Sequence, residues 1–473
     1  MLVRTMTAPL LGALTLNRTV ISKSFHLEDG RFLAIAYDTR TQTAAVLEDD
    51  AARVWWLLYQ DGGDTRQALE YILANGKFET YPTAGAADCL SAFAQELAES
   101  RLLASSSEKA FAGVPENLAE REDSGRGIES AISQIMADNH VFYGMTLELT
   151  YRCNETCIHC YCPDERKGQE LTADEIEKLL DEFEALGGFH LLLTGGEVFL
   201  RRDIKRILRD LQRRRLLVGI NTNLTLADDE SLDLIAELRP KLVGCSIYSA
   251  DASTHDSVTR VTGSFTKSMK AIRKLRQRGV PVVLKSPLMA HTIKGWKDIE
   301  ALARETGCEC QFDLSITAKN DGGLAPIQTR SYDEAAIAEL LTSRFQKIHI
   351  NGEPIVVSRG PAEDAQLCGA GAAGLTISPD GTIRPCIGMM TTLGRWPEDS
   401  LESVWTKSPF FQKWSSHRLS ELEPCRTCNK VEYCIRCPGA WAVESGDFRK
   451  PSSYTCFLAG VGSRCQNDGN NGI

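Results

Sequence analysis

No apolar run in this chain of 473 residues is long enough to cross a bilayer. A spanning helix needs roughly 18 or more consecutive apolar residues, so no membrane partner is expected. Near the start, Arg4 and Ala8-Pro-Leu-Leu-Gly-Ala-Leu-Thr-Leu16 imitate a secretion signal, but Pro9 and Gly12 interrupt the run and Asn17-Arg18 follow without a small-residue cleavage pattern. Positive charge is also in short supply: 53 Lys plus Arg stand against 63 Asp plus Glu, a formal net charge of -10. Phosphate backbones are bound by basic surfaces, so no nucleic-acid partner is expected. A secreted disulfide spacing is missing as well. Sixteen cysteines are present, yet ten fall in tight groups, and the pairs among them separated by two or three residues suit metal ligation in a reducing, cytoplasmic setting.

What is present describes a large globular chain. Hydrophobic residues make up 43% and charged residues 25%, outside the disordered range, and the length predicts two or three domains rather than one core. From Met145 the pattern alternates strands and helices. Strands are expected at Met145-Thr-Leu-Glu-Leu-Thr150, Phe189 to Thr194, Leu216 to Asn221, Leu242 to Tyr248, Val282 to Ser286 and Cys310 to Leu314. Thr172 and Glu175 form a capping box for a helix with Ile176, Leu179, Leu180, Phe183 and Leu186 on one face, ended by Gly187-Gly188. About six such units predict an α/β fold, a partial (β/α)6 barrel with its chemistry at the C-terminal ends of the strands.

The loop after the first of these strands reads Cys153-Asn-Glu-Thr-Cys157-Ile-His-Cys160. Three thiolates so close in sequence can converge on one face of a compact metal centre, and as soft anionic ligands they suit an iron-sulfur cluster; a structural zinc site is the other reading. With three protein ligands, a four-iron cluster keeps one iron open to a small molecule. Gly195-Gly196-Glu197 follows the second strand, where the glycines permit close backbone approach and the carboxylate can pair with an ammonium. CxxxCxxC with His159 before its last cysteine resembles the signature of the radical S-adenosylmethionine (SAM) enzymes, and Gly195, Gly196 and Glu197 resemble their GGE motif. The resemblance implies a 4Fe-4S cluster on Cys153, Cys157 and Cys160, with SAM chelating the open iron and Glu197 at its amino group. It also implies polar contacts to SAM from Asn223 and Ser246, the methionine carboxylate on Arg260, and His159 packed beside the adenine. Cys162 has no assigned role, and Cys89, Cys245, Cys308 and Cys310 read as buried thiols.

Cysteine is concentrated a second time toward the C-terminus: Cys368, then Gly381-Thr-Ile-Arg-Pro-Cys386, then Cys425, Cys428, Cys434, Cys437, Cys456 and Cys465. Two CxxC pairs only five residues apart are too close for a zinc ribbon, whose pairs lie about 15 to 20 residues apart. The pattern resembles the SPASM domain of peptide-modifying radical SAM enzymes. Carried over by position, Cys368, Cys386 and Cys437 would hold one auxiliary 4Fe-4S cluster, and Cys425, Cys428, Cys434 and Cys456 a second. Two departures stand out: only two residues separate Cys434 and Cys437 where the family has three, and Cys465 is extra.

Residues 20 to 105 read as a separate domain with strands first, at Arg31 to Asp38 and Thr43 to Leu47, then helices. Asp49 and Asp50 can cap a helix through Val54, Trp55, Leu57 and Leu58 that Gly62-Gly63 ends; a second starts at Thr65, and Leu90, Phe93, Ala94 and Leu97 mark a third. This resembles the winged-helix recognition element that grips leader peptides of ribosomally made, post-translationally modified peptides. A DNA-binding winged helix is the rival reading. Residues 1 to 105 hold nine Lys plus Arg and thirteen Asp plus Glu, a balance of -4 that suits phosphates poorly. The expected domains are 1-105 (recognition element), 106-140 (linker), 141-345 (radical SAM barrel) and 346-473 (SPASM).

Taken over the chain, the resemblance implies an enzyme that matures a ribosomal precursor peptide, drawing electrons from a donor such as flavodoxin or ferredoxin. A 5'-deoxyadenosyl radical would take hydrogen from the core peptide, and the auxiliary clusters could accept the surplus electron or ligate a substrate thiolate. An intramolecular thioether is the leading product. Carbon-carbon or carbon-oxygen cross-links, epimerisation and oxidative decarboxylation are open alternatives, and a redox-sensing iron-sulfur protein is the alternative of another class.

Overall fold

The computed structural model describes residues 15-16, 20-27, 30-39, 43-60, 68, 71, 93, 94, 97, 103-104, 132-164, 168-345, 349-350, 353-354 and 366-470. The N-terminal run, Gly62-Gly63, the Thr65 helix start and Cys89 lie outside the described residues. Two compact units form, one drawn from the first 141 residues and the other from residues 142-473. No described helix is long and apolar enough to cross a membrane.

In the first unit, strands β1 (Val20–His26), β2 (Phe32–Asp38) and β3 (Thr43–Glu48) form an antiparallel sheet in the order β1-β2-β3. Strand β1, absent from the sequence expectation, pairs along its whole length with β2. Helix α1 (Asp49–Gln60) follows at once, and the Asp49 carboxylate accepts a hydrogen bond from Phe32 N at 3.1 Å. Val54, Trp55 and Leu58 on α1 are buried in one core with Phe32, Ala34 and Ala36. Trp55 Nε1 donates to Ser22 Oγ (2.9 Å), which donates to Ile35 O (2.7 Å), so one buried polar chain ties α1 to both strands. Ala68, Phe93, Ala94 and Leu97 are helical positions in this same core, as the periodicity predicts.

The expected linker needs a correction. Residues 132-138 are helical, and Ile132 and Met136 are 2% and 0% exposed. Two apolar residues four apart suffice to seat a short helix once a surface is there to receive them, a signal too sparse to separate from its polar surroundings.

The second unit is organised by a nine-stranded sheet. Six strands, β4 (Gly144–Thr150), β5 (His190–Gly195), β6 (Leu217–Thr222), β7 (Leu242–Ser246), β8 (Val282–Pro287) and β9 (Glu309–Asp313), are parallel and adjacent in chain order. Between them run α2 (Ala173–Ala185), α3 (Ile204–Arg213), α4 (Asp229–Leu238), α5 (Ala252–Thr259), α6 (Ser264–Gln277) and α7 (Trp296–Thr306). The capping box on α2 is present, with Glu175 N donating to Thr172 Oγ1 and Thr172 N donating to the Glu175 carboxylate.

Period-two alternation explains the sheet's two faces. Leu147, Leu149, Leu191, Leu193, Val218, Ile220, Val243 and Leu284 belong to one large core. The opposite positions, Thr146, Glu148, Thr194, Asn221, Ser246, Lys285 and Gln311, give the inner face of the partial barrel a polar lining.

Beyond the six strands the sheet continues where the sequence predicted a domain boundary. Strand β10 (Gly374–Ile377) pairs parallel with β4, and β11 (Thr382–Arg384) and β12 (Gly394–Arg395) extend the edge antiparallel. The SPASM-like region and the barrel are therefore one hydrogen-bonded sheet, not two separately folded bodies. Four-residue strands carry too little periodicity to announce this. At the other end, α8 (Glu334–Phe345) packs against α9 (Ser453–Asn470) through Ile337, Leu340, Tyr454, Leu458 and Val461.

Candidate iron-sulfur and cofactor site

The cysteine loop leaves β4 at its C-terminal end. Thr150 Oγ1 donates to Glu170 (2.5 Å), and the Arg152 guanidinium holds both oxygens of the same carboxylate at 2.9 and 3.2 Å, which fixes the loop's entry. Its middle is pinned by main-chain bonds from Thr156 N to Thr259 O and from Ile158 N to Val258 O, both 3.1 Å. Held this way, Cys153, Cys157 and Cys160 are partly exposed thiols that lie within electrostatic reach of one another. Burial pushes the Cys153 thiol up to about 11, with neighbouring carboxylates and the Cys160 thiol adding to the effect.

The two glycines of Gly195-Gly196-Glu197 let the end of β5 press against this loop. Gly195 has φ +127, and a Cβ there would lie 2.3 Å from Thr150 O; one on Gly196 would lie 2.3 Å from Arg152 O. Glu197 is 0% exposed, and its carboxylate accepts from Thr222 Oγ1 (2.6 Å), Phe199 N (3.0 Å) and Asn223 N (2.7 Å). It braces the ends of β5 and β6 together, and burial pushes its carboxyl up. Three donors leave a carboxylate, with about four lone-pair sites, room for a further partner.

The other candidates reach the loop separately. Asn223 Nδ2 donates to Asn154 Oδ1 (3.1 Å) and lies 3.9 Å from Cys153 Sγ. Ser246, at the end of β7, lies beside the Tyr248 hydroxyl, which donates to Cys157 Sγ at 3.7 Å. Arg260 is exposed, with φ +59, directly after the Thr259 carbonyl that the loop engages. His159 packs edge-on against Tyr248, with ring centroids 4.8 Å apart. Burial, helped by His291, pulls its imidazole down to about 4, so the ring is neutral at pH 7. Cys162 is buried with its thiol 3.8 Å from Gly195 O. Cys245 and Cys308 are buried as expected, and Cys310 is half-buried.

The C-terminal cysteines separate into two groups. The Cys368, Cys386 and Cys437 thiols influence one another electrostatically, and burial pushes Cys386 up to about 11. Cys425, Cys428, Cys434 and Cys456 form the other mutually coupled set. Cys465 joins neither: its thiol lies 3.7 Å from Ala338 O and packs with the α8–α9 core. Among the described residues no three His, Cys, Asp or Glu side chains converge tightly enough for a single metal ion. Thiolates are soft ligands that suit an iron-sulfur cluster, whose charge would deprotonate thiols that burial keeps protonated.

Sequence reasoning missed a buried polar group between these sites. Glu148, inside β4, is ion-paired with Arg384 at the end of β11, and their exposures are 0% and 4%. Tyr151 and Tyr161 donate to the same carboxylate at 2.8 and 3.2 Å. A carboxylate in the middle of Met145-Thr-Leu-Glu-Leu-Thr150 was the available signal.

Comparisons with known proteins agree with this geometry. Residues 147–305 match the radical SAM superfamily, and residues 368–429 match the SPASM iron-sulfur cluster-binding domain. The chain is 26% identical over 301 residues to a PqqA peptide cyclase of Granulibacter bethesdensis, covering 61% of this chain and 80% of the relative. It is 27% identical over 299 residues to the antilisterial bacteriocin subtilosin biosynthesis protein AlbA of Bacillus subtilis, covering 62% of this chain and 66% of AlbA. In structure it is similar to Streptococcus suis SuiB bound to precursor peptide SuiA, with a TM-score of 0.61 and 15% identity over 94% of this chain and all of that one, a likeness of fold. The chain thus joins a radical SAM domain, which binds SAM and a 4Fe-4S cluster, to a SPASM domain that binds auxiliary iron-sulfur clusters.

Proposed function

We propose that the protein modifies a ribosomally made precursor peptide and closes an intramolecular thioether in it. The relatives include a peptide cyclase and a bacteriocin biosynthesis protein, and the similar solved structure carries a precursor peptide. Cys153, Cys157 and Cys160 would hold the barrel cluster, with Gly195, Gly196, Glu197, Asn223, Ser246, Arg260 and His159 around SAM, and the polar inner face of the barrel would receive the peptide. Bound there, the cluster and SAM would supply radical chemistry able to take hydrogen from an unactivated carbon. This chain's residues bind and orient the peptide and exclude competing reactions.

The observation that carries the thioether is the three-thiol set. Cys368, Cys386 and Cys437 stand together, while Cys465 and Cys162 are committed elsewhere. A fourth ligand would come from outside, which suits a peptide cysteine. For each C–S bond the peptide gives up one hydrogen atom, one proton and one electron.

The first unit would hold the leader. Strands β1 and β3 each pair only with β2 among the described strands, so an extended peptide can add to an edge through main-chain hydrogen bonds. Its acidic balance disfavours the DNA-binding alternative. Flavodoxin or ferredoxin would be the electron donor.

The test is mass spectrometry of a cysteine-containing precursor, encoded beside the gene, after turnover with the reconstituted enzyme. A loss of two hydrogens per cross-link together with cysteines that resist alkylation is expected. Auxiliary-cluster spectra of protein lacking the barrel cysteines should change when that precursor binds. A product whose cysteines all react as free thiols, with no spectral change, would sink the thioether reading and leave the radical SAM chemistry standing.

A further inference from the structure

Two basic stretches lie on the barrel's helices, and they differ in how their charge is used. On α3, Lys205 pairs with Asp228 and Glu230, Arg206 with Asp174 and Glu177, Arg209 with Glu230, and Arg213 with Asp210. That surface is internally neutralised. Helix α6, Ser-Phe-Thr-Lys-Ser-Met-Lys-Ala-Ile-Arg-Lys-Leu-Arg-Gln, contains no acidic residue at all. Its C-terminal half is partly paired, through Lys274 with Asp229 and Arg273 with Glu305. Its N-terminal half is less so: Lys267 and Lys270 are exposed and make no ion pair among the described residues, and Asp229, the carboxylate within electrostatic reach of Lys270, is already paired with Lys274. Asp256, the nearest carboxylate along the chain, is occupied with Gly263 N, Phe265 N and Ser264 Oγ at 2.5 to 3.0 Å.

This end of α6 is the end nearest the cysteine loop. The loop bonds to the carbonyls of Val258 and Thr259, and only four residues separate Thr259 from the start of α6. A continuous row of rings spans the same interval. Tyr248 donates to Cys157 Sγ (3.7 Å); the Tyr248 and His255 rings are 5.2 Å apart, and those of His255 and Phe265 are 5.5 Å apart. Tyr248 and His255 are buried, while Phe265, in the first turn of α6, is half-buried, two residues before Lys267. The row runs from the Cys157 thiol to the half-buried Phe265 ring with no step longer than 5.5 Å.

Resting on the radical SAM reading of the barrel cysteines, we infer that the Lys267–Lys270 face of α6 docks a small acidic one-electron carrier and that Tyr248, His255 and Phe265 line the electron's entry. One electron leaves the reduced carrier, which is oxidised by one, and the barrel cluster is reduced by one; no bond or proton moves. On a chain of net charge -10, an unneutralised basic patch is what allows a like-charged carrier to approach in one orientation, since local complementarity steers encounter.

The experiment compares the reconstituted wild-type holoenzyme with K267E/K270E, using an acidic flavodoxin as the probe. Binding is measured by titration at low and high ionic strength, and SAM cleavage is driven either by reduced flavodoxin or by dithionite. Wild-type affinity should fall as salt rises. The double variant should bind about tenfold more weakly, with a flatter salt dependence, and lose flavodoxin-driven cleavage in proportion while dithionite-driven cleavage stays at the wild-type rate. K267A alone should show a smaller shift in the same direction, a check that does not depend on charge reversal being tolerated. Equal flavodoxin affinity in wild type and variants, or loss of both cleavage rates together in folded variants, overturns the docking surface. Failure of dithionite-driven cleavage in the wild type would instead strike the radical SAM reading itself.

Discussion

The guanidinium of Arg384 is ion-paired with the carboxylate of Glu148 across 236 positions of chain, with both side chains buried. Arg384 stands two residues before Cys386, and Glu148 five before Cys153. One ion pair therefore joins the strand that launches the barrel cysteine loop to the strand that leads into Cys386. Burial pushes the Glu148 carboxyl up, against the opposing pull of Arg384 and the hydroxyls of Tyr151 and Tyr161.

Removing one partner leaves the other buried without its counter-charge. E148Q or R384M should each lower the unfolding free energy by about 3–5 kcal/mol. E148L/R384M should cost less than the two single changes together, because no uncompensated charge remains. Denaturant melts of the four proteins check this; additive losses would mean that the two side chains act independently.

Iron counts should separate the cysteines by group. C153A, C157A or C160A removes one of three barrel ligands and should abolish SAM cleavage while much of the auxiliary iron stays bound. C456A should reduce auxiliary iron, whereas C465A, whose thiol lies against Ala338 O, should leave the iron content at the wild-type value. Iron loss in C465A would require a different ligand partition.

Acid should weaken the barrel through its buried histidines. Burial pulls His190 down to about 3 and His255 to about 4, from an ordinary value near 6.5. Each folded-state value is depressed, so each ring's contribution is fully present above pH 6.5. It is lost as the pH falls toward the folded value, because the unfolded chain takes up the proton first. The stability advantage of wild type over H190Q should therefore shrink between pH 6.5 and 4. Denaturation of both proteins across that window gives the slope, and a difference that does not vary with pH would contradict it.

Much of this was legible in the sequence because strong periodicity and short-range motifs carry it. All six parallel strands fall within two residues of their expected places, and the Thr172–Glu175 box sits where its spacing put it. What escaped depends on distant partners. Nothing local in Gly374–Ile377 says that it will pair with β4, and nothing near Glu197 says that Thr222 and Asn223 will take its carboxylate. The His255 ring, too, acquires meaning only when Tyr248 and Phe265 fold onto either side of it.

The join between β4 and β10 sets a rule for anyone recombining such chains. Gly374 lies opposite Gly144, and a Cβ on Gly374 would stand 2.2 Å from Gly144 O; just outside the pair, Tyr143 N and Gly144 N both donate to Ala373 O. The Gly374 side of the seam has no room for a side chain, so a graft cut anywhere in residues 346–373 inherits a docking requirement that its own sequence does not display. Chimeras that exchange the C-terminal region should carry β4 with it, since the inheritable module is the seam and its two flanks rather than either flank alone.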